Sequence, residues 1–469
     1  MEGFVDASAL FAVSGHRDAS HLVYLGLHAL QHRGSVGVGL AVSDGTLLRY
    51  RRGVGLAQGA LDSGMLAALP GPIAAGQVWG RHDPGTRIDA DAVEGERMVF
   101  GRYRDGQLAV AVSGRFTNGT RLRRELKEAG AVFQTPSDAE LLLHLIAQSG
   151  QKTFVNRLVD ALFKVEGAYA LLVMAEDRLV AVRDPSGFRP LVLGRLGEAV
   201  VVSTEDAAIR FVGGEAVREL APGEMVILDG RQQQGVAPFP PADRLACVHE
   251  FVTLARPDAA VFGRPCHAAR VALGERLAKE QPCRDADVVV GLPGSEAISI
   301  GYARAHGMPY GHGLLRAPYT ARRLEEPPSG VRDFGTRVTW RPVPGVVERR
   351  SVCFVVPSLV TGRALRKAVR MLTEAGATGV HLRVASPQVR ISCAYGVAGP
   401  TTDELLKTVH EGDPAAWLGV RTCGFLSLEA LRTVPLGVGD EDAPGVCDAC
   451  FSGTRPIEPE EGDDQLPLF

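Results

Sequence analysis

The apolar and polar positions follow one pattern in the first half of the chain and another in the second. Between residues 11 and 229, short β-rich apolar runs recur: LAVAV, YALLVM, RLVAV, AVVVS and EMVIL. Amphipathic stretches near residues 19–31 and 137–148 interrupt these runs and predict helices. Many short strands with few helices are typical of packed sheets that carry their helices on the outside.

The second half predicts strands that alternate with helices. VVVGL (288–292) leads through PGSEA into a helical stretch, and SVCFVV (351–356) leads through PSLVTGRA into a helix predicted over residues 365–375. Gly376 follows as the glycine that commonly ends a helix, and VHLRVAS is the next strand. Strand–helix–strand units of this length predict a parallel sheet with helices on both faces.

These patterns divide the chain into three parts. The Pro- and Gln-rich stretch at residues 232–243 predicts a linker. We therefore expect a first domain over residues 1–235 and a second over residues 245–455. Residues 456–469 are acidic, predict a disordered tail and end in QLPLF.

Composition narrows the function classes. The chain has 469 residues, of which 45% are hydrophobic and 22% charged, as in ordinary globular proteins of two or three domains. The net charge of −3 leaves no basic excess, so direct nucleic-acid binding is not expected. MEGFVDASALFAVSG lacks the basic and apolar regions of a secretory signal, and no apolar run reaches transmembrane length. We expect a cytoplasmic protein without a membrane span.

The cysteines are confined to the second half. All eight lie between Cys247 and Cys450. Secreted domains that depend on disulfides are small and cysteine-dense, which this chain is not. The distribution indicates either reduced thiols or a metal site in the second half.

Seven segments resemble, in the same order, segments of the glutamine phosphoribosylpyrophosphate amidotransferase (amidophosphoribosyltransferase) family. They are LVYLGLHALQHRG (22–34), FQTPSDAELLLHLI (133–146), GAYALLVM (167–174), VRDPSGFRPLVLG (182–194), FVTLARPDA (251–259), EAGATGVHLRVASP (374–387) and CDACFSGTRP (447–456). The resemblance implies an N-terminal-nucleophile glutaminase, an αββα sandwich that releases ammonia from glutamine. A phosphoribosyltransferase domain would then use that ammonia to displace pyrophosphate from phosphoribosylpyrophosphate (PRPP). The family catalyses the first committed step of purine synthesis, and its members form homo-oligomers.

The glutaminase site departs from the family pattern at its central positions. Aligning LFAVSGH (10–16) with the family places Ser8 where the family has a cysteine nucleophile at the mature N-terminus. Serine is a much weaker nucleophile at neutral pH, and its α-amine would be free only if residues 1–7 were removed. Trp79 stands at the position of the arginine that holds the substrate carboxylate, and an indole cannot replace that guanidinium. Arg81 is two residues away and would need a strand slip to substitute for it.

Several substrate-binding remnants stay in this half. Ser113 precedes Gly114 where the family has the Asn-Gly pair that supplies an oxyanion donor, and losing such a donor costs about 100-fold or more in rate. Arg33 of the HRG turn is retained. Asp138, which grips the substrate amine in the family, also remains, but at a predicted helix N-terminus we expect it to act as a cap in preference to a substrate-binding role.

The phosphoribosyl site has lost the acids that the resemblance requires. Val356 and Pro357 occupy the positions of two adjacent aspartates that bind the ribose hydroxyls and help to organise Mg²⁺. Neither side chain accepts a hydrogen bond, and proline also lacks the backbone donor. The turn that would cradle the 5′-phosphate survives, with Ser358 and Gly362 as its remnants. We expect Mg²⁺ only if PRPP still binds.

The losses extend to neighbouring positions. Gly294 replaces an aspartate of the pyrophosphate loop, and Thr339 replaces a lysine. RAPYTARRLEEP (316–327), aligned with the loop that closes over PRPP, keeps Tyr319 and Arg322 but has Ala317 in place of a polar residue. The basic side chains that could hold pyrophosphate, or simply form a solvated face, are Arg316, Arg322, Arg323 and Arg363.

Four cysteines match a ligand set found in some family members. Those members carry a [4Fe–4S] cluster, and the matching residues here are Cys247, Cys393, Cys447 and Cys450. Thiolate sulfur suits iron–sulfur clusters and also Zn²⁺ in a Cys₄ site. Four buried thiols without metal are the third reading, because free cysteine is common in protein cores.

The last five residues resemble the short peptide by which bacterial proteins dock on the DNA polymerase sliding clamp. The pattern is glutamine, leucine, any residue, leucine and phenylalanine, supplied here by Gln465, Leu466, Leu468 and Phe469. An extended peptide on a flexible tether would dock with one polar anchor and two apolar plugs. A chance apolar end, or a tail that folds back onto the body, is the alternative.

Three functional hypotheses result. The first is a pseudoenzyme, which keeps the scaffold for a regulatory or interaction role. The second is a working amidophosphoribosyltransferase or an ammonia-dependent phosphoribosyltransferase. The third is an inactive partner that assembles with an active paralogue.

Overall fold

The computed structural model describes residues 5–6, 8–80, 97–316, 340–406, 412–437 and 445–460, the first pair by backbone alone. The strands of the first half are β1 (Val5–Asp6), β2 (Ser8–Ser14), β3 (Gly37–Ser43), β4 (Leu48–Val54), β5 (Ile73–Trp79), β6 (Val99–Tyr103), β7 (Gly106–Phe116), β8 (Gly167–Met174), β9 (Leu179–Arg183), β10 (Val192–Leu196), β11 (Ala199–Ser203), β12 (Glu215–Glu219), β13 (Met225–Asp229) and β14 (Gln232–Val236). Its helices are α1 (Ala19–Ala29), α2 (Ala57–Ala60), α3 (Ser63–Ala67), α4 (Gly119–Glu128), α5 (Asp138–Gln148), α6 (Phe154–Leu162) and α7 (Asp206–Phe211).

The strands of the second half are β15 (Leu245–Cys247), β16 (Ala260–Val261), β17 (Arg264–Pro265), β18 (Val288–Gly291), β19 (Tyr310–Gly311), β20 (Leu314–Arg316), β21 (Trp340–Pro342), β22 (Ser351–Val356), β23 (Gly379–Val384), β24 (Val397–Ala398), β25 (Thr422–Phe425) and β26 (Gly445–Cys447). Its α-helices are α8 (Cys266–Glu280), α9 (Glu296–His306), α10 (Pro344–Val347), α11 (Arg363–Glu374), α12 (Pro414–Leu418), α13 (Leu428–Thr433) and α14 (Ala449–Ser452). A π-helical turn spans Glu250–Leu254 and a 3₁₀ turn spans Thr402–Glu404.

The first half is a four-layer sandwich. Among the described strands, a seven-stranded sheet runs in the order β12-β10-β11-β2-β5-β3-β4 and a six-stranded sheet in the order β14-β13-β9-β8-β7-β6. Alternation along β2 shows how the layers form, because successive side chains of a strand point to opposite faces. Leu10 joins the core between the two sheets, whereas Phe11 packs with Val23 and Leu27 of α1 on the outer face. Helices α5 and α6 cover the other sheet.

The second half contains the predicted parallel sheet. Its five described strands run in the order β19-β18-β22-β23-β25, and every neighbouring pair is parallel. Phe354 faces the α11 side, where Leu365 and Leu372 pack, and Val355 faces the α8 and α9 side. The αββα sandwich and the parallel sheet that follows it confirm the expected fold class.

Most of the predicted helices and strands are confirmed, and the linker is the exception. The helix expected over residues 365–375 is α11, and Gly376 follows it at φ +100°. Residues 232–243 do not form a linker throughout, because β14 (Gln232–Val236) pairs with β13 at the edge of a sheet. The limits of the two predicted domains, 1–235 and 245–455, stay predictions.

One short strand pair and the C-terminal segment connect the halves. β1 pairs with β24, whereas β15 pairs in parallel with β26 within the second half. The tail predicted to be disordered from residue 456 is held by contacts at its start: the Tyr395 hydroxyl donates to the Ile457 carbonyl at 2.6 Å, and the Glu460 N–H donates to the Thr117 carbonyl at 3.0 Å. Within the described ranges, no helix is long and apolar enough to cross a membrane.

Candidate functional site

The nucleophile position lies inside a sheet. Ser8 is the first residue of β2, is 1% exposed and pairs with Trp79 of β5. Its carbonyl accepts a hydrogen bond from the Ser113 hydroxyl at 3.1 Å, so two of the predicted residues do come together. The preceding strand β1 pairs with β24 of the second half.

The oxyanion position is covered by backbone from the second half. Gly114 has φ +121°, and a Cβ there would lie 2.1 Å from the Ala168 carbonyl oxygen, so only glycine fits. A Cβ on Gly396 would lie 2.6 Å from the Gly114 Cα. The two glycines are thus in direct backbone contact, and the segment after Cys393 closes this face of the site.

The position of the family's carboxylate-binding arginine is filled by an indole. Trp79 is 1% exposed and lies so close to Gly37 that a Cβ there would be 2.5 Å from the ring. A buried indole presents one N–H donor and no positive charge. Arg81, the proposed substitute, lies outside the described residues.

The two retained charged residues of this half have structural partners. Ser137, and not Asp138, is the N-cap of α5, because the Ser137 hydroxyl accepts from the Ala139 N–H at 3.2 Å. The Asp138 carboxylate instead accepts the Phe116 N–H at 2.9 Å and pairs with Arg123 at 3.5 Å. The predicted capping role of Asp138 is therefore wrong, since a residue one position further into the helix no longer has its side chain over the first free N–H groups.

Arg33 is the centre of a buried ion-pair network. Its guanidinium contacts the Glu205 carboxylate at 2.5 Å and the Glu250 carboxylate of the second half at 2.5 and 3.1 Å, and all three side chains are shielded from solvent. Burial alone would raise the pKa of Glu205, but Arg33 and His32 outweigh it and lower that pKa to about 2. These pairs account for the retention of Arg33 without any substrate.

The phosphate-loop turn keeps its shape and has an apolar interior. Val356 ends β22, and Ser358, Leu359 and Val360 behind it are at most 2% exposed. Gly362 begins α11 at φ +73°, as the turn requires. A Cβ on Gly362 would be 2.5 Å from the ring of Trp417, so this indole lies directly on the turn.

The pyrophosphate-loop position is occupied by a side chain of the protein itself. The Gly294 N–H donates to the Glu296 carboxylate at 2.9 and 3.1 Å. Glu296 is the first residue of α9, where a negative charge is favourable. Thr339, Ala317, Tyr319, Arg322 and Arg323 lie outside the described residues, as do Gln465, Leu466, Leu468 and Phe469.

The four predicted cysteine ligands line one small cavity. Cys247 and Cys447 are directly opposite each other in the β15–β26 pair, Cys450 lies on α14, and Cys393 enters from the loop before β24. Burial, followed by repulsion from the neighbouring sulfurs, raises the pKa of Cys447 and Cys450 well above its ordinary value. Burial and the Glu250 carboxylate raise the pKa of Cys247 to about 12. The thiols therefore stay protonated until a metal displaces their protons.

Two cationic or hydrogen-bonding side chains share the cavity wall. Arg189 is 1% exposed, and its guanidinium lies 3.9 Å from Glu250, which connects the cavity to the Arg33 network. His249 places Nε2 3.0 Å from the Cys450 sulfur, and its ring stacks on Phe451 at 5.0 Å between centroids. Burial lowers the pKa of His249 to about 3, so the ring is neutral.

The donor set is chemically suited to a metal group. Four cysteine thiols line one cavity, and thiolate sulfur is the ligand of both iron–sulfur clusters and Cys₄ zinc sites. In the part of the chain that the structure describes, no three His, Cys, Asp or Glu side chains converge closely enough to hold one metal ion.

Sequence reasoning missed four residues that shape these sites. His249 had a local signal, since it lies two positions after Cys247. Glu296 had a weak one, as an acid at a predicted helix start. Trp417 and Gly396 had none, because their contacts with Gly362 and Gly114 join segments far apart in the chain.

Comparison with known proteins gives consistent matches along the chain. A family model described as a glutamine amidotransferase domain matches residues 86–210. Amidophosphoribosyltransferase 2, chloroplastic, from Arabidopsis thaliana is 40% identical over 455 residues, covering 96% of this chain and 79% of that protein. The amidophosphoribosyltransferase of Bacillus subtilis (strain 168) is 37% identical over 463 residues, covering 98% of this chain and 96% of that protein.

Two solved structures match almost the full chain at 37% identity. One is glutamine PRPP amidotransferase from B. subtilis complexed with ADP and GMP, with a TM-score of 0.89 and coverage of 98% of this chain and 99% of that one. The other is described as the allosteric regulatory enzyme of purine biosynthesis, with a TM-score of 0.90 and coverage of 98% of both chains.

Proposed function

Because this chain belongs to the amidophosphoribosyltransferase family, we propose that it is a pseudoenzyme of that family, kept as a regulatory or interaction scaffold. The observation that carries the proposal is that bulky or backbone groups of the protein itself pack on both candidate sites. Trp79 and Gly396 pack on the glutaminase side, and Trp417 packs on the turn of the phosphoribosyl side. A substrate would have to displace these groups.

The glutaminase half lacks three separate contributions to catalysis. A buried serine in a strand lacks the thiol of the family's nucleophile, and its α-amine would be free only if residues 1–7 were removed. The carboxylate clamp and one oxyanion donor are absent as well. Losing one oxyanion donor alone costs about 100- to 1000-fold in rate, so the combined loss leaves no useful glutaminase activity.

The phosphoribosyl half lacks the means to hold its substrate. Val356 is fully buried in an apolar core, and the carboxylates that would bind ribose and Mg²⁺ have no replacement in the described part of this loop. The Gly294 N–H is already paired with Glu296, so a pyrophosphate would compete with an internal carboxylate. The alternative is a working amidophosphoribosyltransferase, or an ammonia-dependent phosphoribosyltransferase, in purine nucleotide synthesis.

The test is pyrophosphate release by the anaerobically purified full chain with PRPP, Mg²⁺ and either glutamine or ammonium. We expect no release above the rate without protein, in an assay where the B. subtilis amidophosphoribosyltransferase turns over. Release with ammonium alone would establish the ammonia-dependent alternative. Release with glutamine would overturn the pseudoenzyme proposal entirely.

We further propose that Cys247, Cys393, Cys447 and Cys450 hold a [4Fe–4S] cluster. When bound, the cluster would cross-link β15, β26, α14 and the loop before β24. The four-cysteine cavity and the nearby Arg189 charge support this ligand set, and zinc in a Cys₄ site is the alternative. Iron, sulfide and zinc analysis of anaerobically purified protein separates the two metals, and a stoichiometric zinc content without iron would contradict the proposal.

The C-terminal QLPLF is the basis of a separate partner proposal. We propose that Gln465, Leu466, Leu468 and Phe469 dock on the bacterial DNA polymerase sliding clamp. The segment that precedes this tail is bound to both halves, since Ile457 contacts Tyr395 and Glu460 contacts Thr117. Binding of the full chain to purified clamp should be lost in a Leu468→Ala/Phe469→Ala variant and kept in Pro467→Ala, because the motif accepts any residue at that position. Equal binding by all three would contradict it.

We also propose that the chain forms a homo-oligomer, as the family resemblance implies. Light scattering of the purified chain gives its mass directly. A mass of one chain, 49.8 kDa, would contradict this proposal. A mixture that assembles only with an active paralogue would favour the inactive-partner hypothesis.

A further inference from the structure

The His249 side chain has a defined position toward one of the proposed cluster ligands. Its Nε2 lies 3.0 Å from the Cys450 sulfur, within hydrogen-bonding distance, and both side chains are buried. The stack on Phe451 fixes the plane of the imidazole. The contact joins residues that are 201 positions apart, so the packing of the π-helical turn against α14 creates it.

The direction of this hydrogen bond follows from the chemistry of the ligand. A cysteine that ligates a metal is a thiolate, and its sulfur only accepts hydrogen bonds. The imidazole nitrogen that faces the sulfur must then carry the proton. Hydrogen bonds to cluster sulfurs are one of the factors that set the reduction potential of an iron–sulfur group.

We propose that His249 is a hydrogen-bond donor to the Cys450 thiolate and thereby raises the reduction potential of the group that the four cysteines hold. The inference rests on the cluster proposed above. The donated N–H withdraws electron density from the sulfur and stabilises the more negative, reduced state. His249 is a positioning and tuning residue, since it ligates nothing itself.

The experiment compares the parent with His249→Phe and His249→Gln, each purified anaerobically as the full chain. His249→Phe keeps a buried aromatic ring against Phe451 but has no donor, and His249→Gln keeps an N–H at similar reach. Resonance Raman spectra in H₂O and D₂O report whether an exchangeable proton bonds to a ligand sulfur. We expect a deuterium-dependent shift of the Fe–S(Cys) bands in the parent and in His249→Gln, and none in His249→Phe.

The reduction potential is the second readout. At a fixed ambient potential near the midpoint, we expect the ratio of oxidised to reduced cluster to rise about tenfold in His249→Phe, which is about 59 mV for a one-electron couple. Tyr395→Phe is the matched control, because Tyr395 also lines the cavity but its hydroxyl bonds to the Ile457 carbonyl. The control should keep both the deuterium shift and the potential of the parent.

The outcomes separate the two proposals. Parent protein without iron and without Fe–S bands would overturn the cluster and this inference together. Parent protein with intact bands, but with the same deuterium response and potential in His249→Phe, would overturn the role of His249 and leave the cluster proposal standing.

Discussion

The cysteine cavity and the turn at residues 357–362 lie in the same half of the protein but have opposite interiors. Arg189 and His249 line the cavity with the four cysteines and the apolar Phe188, Val397 and Ala449, and Arg189 connects it to the buried charges of Arg33, Glu205 and Glu250. At the turn, Val356, Leu359 and Val360 pack with Leu365 and Leu406, and Trp417 covers Gly362. A polar or charged group that is buried without a partner costs several kcal/mol. The buried groups of each region therefore stabilise the fold only when all of them are present.

Under the pseudoenzyme proposal, the difference shows how a site can lose its chemistry without losing its fold. The turn has an apolar interior, and its backbone has the positive φ that Gly362 permits. At the cavity, removing one member would leave the others buried and unpaired. We therefore expect substitutions on the polar side to have much larger effects than substitutions on the apolar side.

The largest effect should come from removing a proposed cluster ligand. Cys450→Ser should lower the iron content from about four atoms per chain to near zero, because a cluster of this kind needs all four thiolates. Iron and sulfide analysis after anaerobic purification measures this. Cys423→Ser, at a half-buried cysteine of β25 outside the cavity, should keep the parent's content. An unchanged iron content in Cys450→Ser would contradict the expectation that the cavity is more sensitive to substitution than the turn.

The second-largest effect should come from the buried ion-pair network around Arg33. Arg33→Met keeps a similar volume but leaves Glu205 and Glu250 with less compensation, which should lower the free energy of unfolding by about 3–5 kcal/mol. Urea denaturation measures it. Arg17→Met is the control, because Arg17 is 91% exposed in its pair with Asp18 and should change stability by less than about 1 kcal/mol. A similarly small change in Arg33→Met would show that the network is not stabilising.

The pH dependence tests the same network without removing Arg33. The pKa of Glu205 is about 2 in the folded protein and about 4.5 when unfolded, so the unfolded state binds more protons between these values. The stability from Glu205 is full above pH 4.5 and is lost as the pH falls toward 2, a loss of about 3 kcal/mol.

Comparison with Glu205→Gln isolates that contribution. The unfolding free energies of the parent and the variant should differ most near neutral pH and converge toward pH 2. Asp184, whose pKa burial raises to about 6, is present in both proteins and cancels in the difference. A difference that stays constant with pH would contradict the assignment.

The smallest effect should be at the covered turn. Trp417→Ala should lower stability by about 1–2 kcal/mol, because the indole is only half-buried. PRPP binding, measured by calorimetry with Mg²⁺, should stay undetectable even with the turn uncovered. Arg366→Ala removes the cation 5.1 Å from the ring and leaves the cover in place, so it serves as the control. PRPP binding by Trp417→Ala, but not by the parent or by Arg366→Ala, would show that Trp417 blocks a turn that can still bind PRPP.

Periodicity predicted the buried strands and failed at exposed ones. SVCFVV coincides with β22 because both faces of that strand are buried, which gives a continuous apolar run. The sequence predicts a linker at β14 because four of its five side chains are exposed at a sheet edge, so no alternation of apolar and polar residues marks the strand. The helices α4 and α6 were not predicted, since α4 buries only Gly119, Leu122 and Leu126.

The sequence predicted a site residue only where the residue type itself indicates a chemical role. The four cysteines were assigned by resemblance, and the structure brings them to one cavity. The positions of Trp79 and Trp417 at the candidate sites could not be predicted, because a tryptophan in a sequence indicates a core residue wherever it occurs. The predicted capping role of Asp138 is wrong because the helix begins at Asp138, one residue earlier than a cap at that position requires.

The parallel pairing of β15 with β26 has a consequence for biosynthesis. Cys247 and Cys447 are partners in that pair, and the ribosome makes the second one 200 residues after the first (447 − 247). At about 5–20 residues per second, the earlier thiol waits about 10–40 s before its neighbour exists. Delivery of iron by the cell's assembly machinery would thus be a late, post-translational event, and a chain interrupted before residue 447 would expose an incomplete, oxidation-prone half-site.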